Sequence, residues 1–403
     1  MSGALPYVPR EQAEARGVRA RARRRLGWWA EAAGERLAGA GLPPAALGHR
    51  WRARLPATER AREVGSVEEI HPPARHPAPL PLGVARRDDL PAEAGWFGFS
   101  FRDVPDRLAG ATRLLRIPDA RVLAARREDG DYAPAILDAR GRSLELREIR
   151  HRAFHASLAR RAPDLRLPRA VWIAERVYHN HAHWLSAHLP KLALLRERGL
   201  LADLVLPAER SVAIDASLRA LGVEPEAHPR LPTGAVLAAE ELVLLETDRF
   251  RPELLRLARE ALAPEPALEP PARRVLVSRE GARGRRLLRE ADHLAALAPL
   301  GFEAVAMERL SFEAQRRLMA EAELVVAPHG AGLANILFCP PGARVLEIAD
   351  PAYPNPNFYA MAAGLGLVYG LLAGQGVGGG HPLDRDLAAE PSALRAAVEA
   401  MLA

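Results

Sequence analysis

The sequence predicts an α/β fold divided into two domains. Three observations predict it: the chain length, a regular alternation of short apolar runs with helix-spaced segments, and a glycine turn closing one of those runs. At 403 residues the chain exceeds the size at which a single hydrophobic core stops growing, so two cores are expected. Its 49% hydrophobic and 26% charged residues exclude a disordered chain and leave ample apolar surface to bury. No apolar run reaches the roughly 18 residues of a membrane span and no cleavable leader pattern is visible, so the expected location is cytoplasmic.

Taken in order, residues 1–70 read as a basic helical N-terminal extension. Arg16, Arg19, Arg21, Arg23, Arg24 and Arg25 run into Leu26, Trp28 and Trp29. That composition suits either peripheral contact of residues 16–29 with an anionic inner membrane face or docking of the tryptophans on the protein body. Prolines across 72–91 mark an extended connector. Runs at 121–125, 132–137 and 143–146, divided by Gly130 and Gly141, read as an antiparallel meander. Strand and helix then alternate: strand 170–174, helix 181–198, strand 204–206, helix 209–221, strand 242–245. These complete a first α/β domain over 71–250.

A charged, proline-punctuated passage at 248–271 carries a connecting helix, and a second domain spans 251–403. It reads as strand 275–277, helix 287–297, strand 303–306, helix 312–320 and strand 324–327, then a glycine turn and short helix. Strand 345–348, helix 358–363, strand 367–371 and a terminal helix 392–402 follow. Parallel strands joined by helices make a nucleotide-binding type of sheet, whose ligands sit beyond the carboxyl ends of the strands.

Charge and cysteine content narrow the function. The net charge is +6, but residues 1–65 hold 13 Arg against 6 Glu, so the rest of the chain is close to neutral. Lys191 is the only lysine, a bias of the kind a GC-rich genome imposes, so arginine abundance does not point to nucleic acid. Cys339 is the only cysteine, which excludes an intramolecular disulfide and a cysteine metal cluster.

Three segments carry chemistry. In 323–348 an apolar run ends in Pro328-His329-Gly330-Ala331-Gly332 and opens a helix. Gly330 and Gly332 let the backbone approach a ligand, exposed N–H groups favour phosphate, and His329 adds a donor. In 275–290, Arg279 follows a strand directly, at the edge where this sheet type binds ligands, with Arg283, Arg285 and Arg286 in the same loop. In 177–191, His179, His181, His183 and His188 cluster. The i, i+4 spacing of His179 and His183 suits a metal only if a carboxylate or cysteine completes the set, and no nearby one completes a facing set. His183 suits a general base, while His183 and Trp184 also suit plain packing between helix and sheet.

Together these segments resemble glycosyltransferase family 61, across roughly residues 170–371. Asn180, His183, Trp184, Leu189 and Pro190 resemble the family's N-x-x-H-W and L-P-R/K stretch. Ser278, Arg279, Arg285, Arg286 and Glu290 resemble its S-R and R-R-x-x-N-E block, and Phe302, Leu310 and Gln315 fall where its next stretch would put them. Pro328 to Leu333 match its P-H-G-A-G-L signature, with Glu347 in the V-x-E-I that follows. Two positions depart: Ala187 stands where the family usually carries an acidic residue, and Arg289 replaces the usual Asn before Glu290.

The resemblance implies a GT-B-like architecture of two facing Rossmann-type domains. It also implies an inverting, metal-independent transfer of a sugar from a nucleotide-sugar donor, with UDP as the expected nucleotide. The acceptor would be a glycan or lipid-linked hydroxyl, in bacterial polysaccharide biosynthesis. His183 would be the base and Arg279 the leaving-group cation. Arg279, Arg285, His329, Gly330, Ala331, Gly332 and Glu347 would hold the donor, and Asn180 and Trp184 the substrate. Glu347 suits either the ribose hydroxyls or a capped loop. Asp129-Gly130-Asp131 and Asp384-Arg385-Asp386 end no apolar strand and read as turns rather than as the metal site of GT-A enzymes.

Rival classes fare less well. A serine hydrolase needs a Gly-x-Ser-x-Gly elbow, which is missing. Gly374, Gly376 and Gly379 follow the last strand, with too little chain left for a dinucleotide βαβ unit. The remaining alternative is a non-catalytic nucleotide-sugar or glycan-binding scaffold, for which Ala187 is the motive.

Overall fold

The computed structural model describes residues 54–95, 97–127, 130–264 and 270–403. The arginine and tryptophan run at 16–29 lies outside the described residues.

The first half is built on a mixed sheet. Strand β1 (Arg54–Pro56), helix α1 (Ala57–Val64) and strand β2 (Ser66–His71) open it. Residues 54–70, expected in a separate extension, are thus part of this half. After a two-stranded ribbon, β3 (Ala74–Pro77) with β4 (Asp106–Ala109), come the long β5 (Thr112–Arg126), β6 (Tyr132–Leu137), β7 (Ser143–Glu145) and β8 (Leu165–Trp172). The chain continues through a helical turn α2 (His181–His183), a π-helical turn (Trp184–His188) and α3 (Leu189–Glu197). It then forms β9 (Leu206–Pro207), α4 (Val212–Ala220), β10 (Arg230–Leu231) and β11 (Val236–Glu246). The strand order is β1-β7-β6-β5-β11-β8, with β2 also on β5. Pairs around β5 are antiparallel, whereas β8 runs parallel to β11. A parallel bridge from Val171 to Leu204 and the parallel β9–β10 pair extend that side. The meander expected at 121–146 is therefore not an entry module but one flank of the domain's own sheet.

The second half follows α5 (Pro252–Ala261). It contains β12 (Arg273–Val277), α6 (Glu290–Leu297), β13 (Phe302–Val305), α7 (Phe312–Ala320) and β14 (Ala322–Pro328). A 3₁₀-helix (Ala331–Phe338), β15 (Arg344–Ala349), α8 (Asn357–Leu365), β16 (Val368–Ala373), the ribbon β17 (Gln375–Val377) with β18 (Asp386–Ala388), and α9 (Pro391–Leu402) complete it. All pairs in the main sheet are parallel, in the order β13-β12-β14-β15-β16. Val325, Val326, Ala327, Val345 and Ile348 are fully buried, which is why these strands read as continuous apolar runs. The order reverses between β12 and β14, so the crevice beyond their carboxyl ends is where this topology binds ligands.

The halves share one hydrophobic core that runs from Leu115 and Leu192 through α5 to Leu333 and Phe358. The proline-rich connector crosses between them. Leu82 N–H donates to the Tyr369 carbonyl at 2.7 Å, on the free edge of β16, and Tyr359 Oη donates to the Pro79 carbonyl at 2.7 Å.

Candidate functional site

Two loops meet at the reversal point of the second sheet. Arg279 leaves the end of β12 and is half-buried. Its Nε and Nη2 donate to the carbonyls of Arg285 and Gly284 at 3.2 and 3.0 Å. Its own N–H donates to Glu290 at 3.3 Å. Among the described residues no carboxylate pairs with the guanidinium, whereas Arg286 next door is paired with Asp386 at 2.5 Å. Burial and then the neighbouring Arg285 push Arg279 down to about 10, so it stays a cation at neutral pH. Arg285 sits in a left-handed turn, φ 58°, with its N–H on the Arg385 carbonyl at 2.8 Å.

The second loop is the glycine turn after β14. The backbone of Gly330 is extended, so its need for glycine is one of space: a Cβ there would stand 2.1 Å from Nη1 of Arg279. The Arg279 guanidinium lies on the bare backbone of Gly330. A Cβ on Gly332 would stand 3.2 Å from Val277 Cγ1, which seats the start of the 3₁₀-helix on the end of β12. The first N–H groups of that helix, at Ala331 and Gly332, lack intrahelical acceptors, and its dipole adds partial positive charge beside Arg279.

His329 and Glu347 are differently employed than the sequence suggests. Asn355 Oδ1 accepts the Asn357 N–H at 3.1 Å, so its Nδ2 faces His329 Nε2, 3.1 Å away, and donates to it. The ring proton therefore sits on Nδ1 and is given to Glu347 Oε1. Glu347 is fully buried, and its other oxygen accepts from Tyr369 Oη at 2.6 Å. Burial first, and then this carboxylate, raise the Tyr369 phenol well above its usual range. Glu347 thus has no oxygen to offer a ribose; it orients His329, and His329 ties the glycine turn to the loop of Asn355.

The first half contributes the turn 180–188. Asn180 Oδ1 accepts from the N–H groups of Ala182 and His183 at 3.0 and 3.3 Å, an N-cap, so its expected substrate role gives way to a structural one. Trp184 is 2% exposed, donates to Ser217 Oγ at 2.7 Å and stacks on His188; it is core, out of reach of a substrate. The histidines diverge. His179 is exposed beside Tyr178, and His188 gives its Nδ1 hydrogen to the His183 carbonyl at 3.1 Å and accepts from Glu175 N–H at 3.2 Å. Among the described residues no group of three His, Cys, Asp or Glu is placed to hold a metal.

His183 itself accepts from Arg249: Nη2 stands 2.9 Å from Nδ1. An arginine only donates, so Nδ1 presents its lone pair and the ring proton is on Nε2. In this arrangement His183 cannot take a proton at Nε2, which corrects its assignment as the base. Burial and then Arg249 push its pKa down to about 3. Beneath it, buried Glu175 is paired with Lys191 and with Arg147. Burial alone would raise Glu175, but these two cations carry it well below the carboxylate range. Ala187 is buried and lines a cavity of about 10 Å³ with Arg147, Lys191 and Arg249, space for about one water molecule.

The turn 181–183 packs against the 3₁₀-helix of the second half. Asn335 on that helix, fully buried, donates to the Gly332 carbonyl at 2.9 Å. Burial lowers the pKa of His181, and the Asn335 carboxamide partly offsets it. The structure thus brings the turn 180–183 against the helix that starts at the Arg279 and Gly330 site. Arg249 was missed in the sequence although it obeys the rule that singled out Arg279: it follows the carboxyl end of a strand, β11.

Known proteins agree with the resemblance over part of the chain. Residues 181–346 match the family model described as Glycosyltransferase 61. Over 127 residues the chain is 32% identical to the rice (Oryza sativa subsp. japonica) protein named beta-1,2-xylosyltransferase XAX1, covering 30% of this chain and 22% of that protein. The chain therefore spans about a fifth of the length of this plant relative. A solved structure, the bacterial iron-containing dodecameric glycosyltransferase TibC from enterotoxigenic E. coli, aligns with 68% of this chain and 81% of its own at a TM-score of 0.27 and 9% identity, a likeness too low to carry an argument.

Proposed function

We propose that the chain, whose residues 181–346 match the family model described as Glycosyltransferase 61, transfers a sugar from a nucleotide-sugar donor to a hydroxyl acceptor. The observation that carries this reading is Arg279: a half-buried cation that pairs with no carboxylate among the described residues, laid on Gly330 at the reversal point of a parallel sheet. Such a site suits the diphosphate of the donor.

In the proposed reaction the acceptor oxygen bonds to the anomeric carbon as the bond from that carbon to the diphosphate oxygen breaks. The electron pair leaves with the diphosphate, the hydroxyl proton of the acceptor passes to solvent water, and the configuration inverts. Arg279 and the N–H groups of Ala331 and Gly332 meet the charge that builds there. Arg279 supplies positive charge that a divalent cation supplies in other sugar transferases, so the reading is metal-independent. We take the architecture as GT-B-like, with residues 71–250 on the acceptor side and 251–403 on the donor side. A UDP-sugar is proposed as donor, with xylose among the sugars to try because the rice relative is named a xylosyltransferase. A glycan or lipid-linked acceptor in a bacterial polysaccharide pathway, at the cytoplasmic face, completes the reading.

The test is UDP release from UDP-xylose and UDP-N-acetylglucosamine, with EDTA present and simple glycosides as acceptors. The expected result is turnover that Arg279→Ala lowers by about 100- to 1,000-fold, the scale of losing one transition-state donor. If neither protein turns over any donor while both bind UDP, the chain is a binding scaffold and the transferase reading fails.

A further inference from the structure

We propose that Arg249 fixes His183 as a hydrogen-bond donor, through Nε2–H, to an anionic oxygen of the donor's diphosphate. This deepens the transferase reading and rests on it.

Arg249 is held from both sides. Its carbonyl accepts from Arg107 Nη1 at 2.9 Å, and Arg107 in turn lies over the Phe99 ring at 4.3 Å. The next residue, Phe250, is buried with φ 62°, a left-handed conformation that an aromatic residue adopts only under constraint. The guanidinium so placed meets Nδ1 of His183 at 2.9 Å. Because guanidinium has no acceptor atom, one ring nitrogen is committed and the tautomer follows. The backbone of His183 is fixed as well, by the Asn180 cap on its N–H and by His188 on its carbonyl.

The electrostatics favour an anion at the free N–H. The charged and titratable groups facing His183 are Arg249, His188, Arg176 and Glu175. Glu175 is already paired with Lys191 and Arg147 and Arg176 with Asp131 and Glu148, while among the described residues Arg249 pairs with no carboxylate. The charge beside His183 that no carboxylate balances is therefore the positive one of Arg249, and the His183 turn packs on the helix whose first N–H groups, with Arg279, form the proposed diphosphate site. His183 then binds the leaving group, and the acceptor's proton passes to solvent water rather than to this imidazole.

Glutamine separates the two roles, since its amide nitrogen can stand where Nε2 stands and donate, but cannot take up a proton. UDP-xylose, whose diphosphate does not titrate between pH 5 and 8, is the probe, and calorimetric affinity for the full chain is the readout. His183→Ala is expected to weaken binding about 10- to 100-fold, the scale of a hydrogen bond to a charged group, while His183→Gln stays close to wild type. Arg249→Met frees Nδ1. Its affinity is expected to fall several-fold, because the ring can then place its proton on either nitrogen. The same change in the His183→Gln background should cost less, since an amide has no tautomer to lose, whereas a merely structural role for Arg249 would cost both backgrounds equally. Wild-type affinity with His183→Ala, a loss with His183→Gln as large as with His183→Ala, or an equal loss from Arg249→Met in both backgrounds would each overturn the assignment. Failure of the wild type to bind UDP-xylose overturns the donor reading itself, and this one with it.

Discussion

Gly330 and Arg279 form one unit. The guanidinium occupies the space that any larger residue at 330 would need, so Gly330→Ala is expected to displace it and to weaken UDP-sugar binding about as much as Arg279→Ala does. Because the clash is with a side-chain end rather than with backbone, the fold should persist. A circular-dichroism spectrum like that of the wild type, together with lost affinity, would check this; unchanged affinity would show that the close approach has no functional weight. The same scale explains Arg289. It holds the N-cap position of α6 with φ 58°, a backbone that asparagine tolerates better than most residues, so its departure from the family pattern concerns a helix start.

At the scale of elements, the turn at 180–188 is a capped start followed by a π-turn, and its cap is Asn180. Asn180→Ala is expected to cost about 1 kcal/mol, seen as a lower denaturation midpoint, and to leave Trp184 buried, seen as unchanged tryptophan emission. A red-shifted emission would mean that the cap also holds the core in place. The second half was legible almost element by element in the sequence, and α7 begins and ends where the pattern put it. The reason is that its strands are buried on both faces and Ser311 caps α7 at Ala314 N–H, 3.2 Å away, so local signals and tertiary demands coincide. The first half was read less well. Ser66–His71 carries two glutamates and a histidine on an edge strand, a composition chosen against edge pairing rather than for strand propensity. In β5, Pro118 and the left-handed Asp119 (φ 48°) break the apolar pattern, so only its last turn of alternation reads as strand. Arg279 and the glycine turn were legible because each is local to a strand end. The Arg249–His183 contact spans 66 positions, and no local spacing encodes it.

At the scale of the whole molecule, the buried His155 and His188 and the half-buried His183 tie stability to pH. Burial holds His155 and His188 at about 4 and His183 at about 3, all below the value of about 6.5 they regain on unfolding. Groups depressed in the fold contribute stability that is fully present above pH 6.5 and is lost as pH falls toward 4 and then 3. Glu175, held low by Lys191 and Arg147, adds to the loss below about 4.5. Thermal midpoints should therefore fall steeply from pH 6.5 to 4, and a flat profile over that range would contradict the buried neutral state of these rings. The shared core and the connector strand on β16 make the two halves one cooperative body, so a single transition is expected throughout.

The central claim is that Arg279 and the glycine turn hold a nucleoside diphosphate without help from a metal. Thermal denaturation of the full chain with UDP in excess EDTA measures it directly, because a ligand that binds only the folded state raises the midpoint. A rise that disappears in Arg279→Ala is the expected result; no rise in the wild type at millimolar UDP, or an equal rise in both proteins, would contradict it.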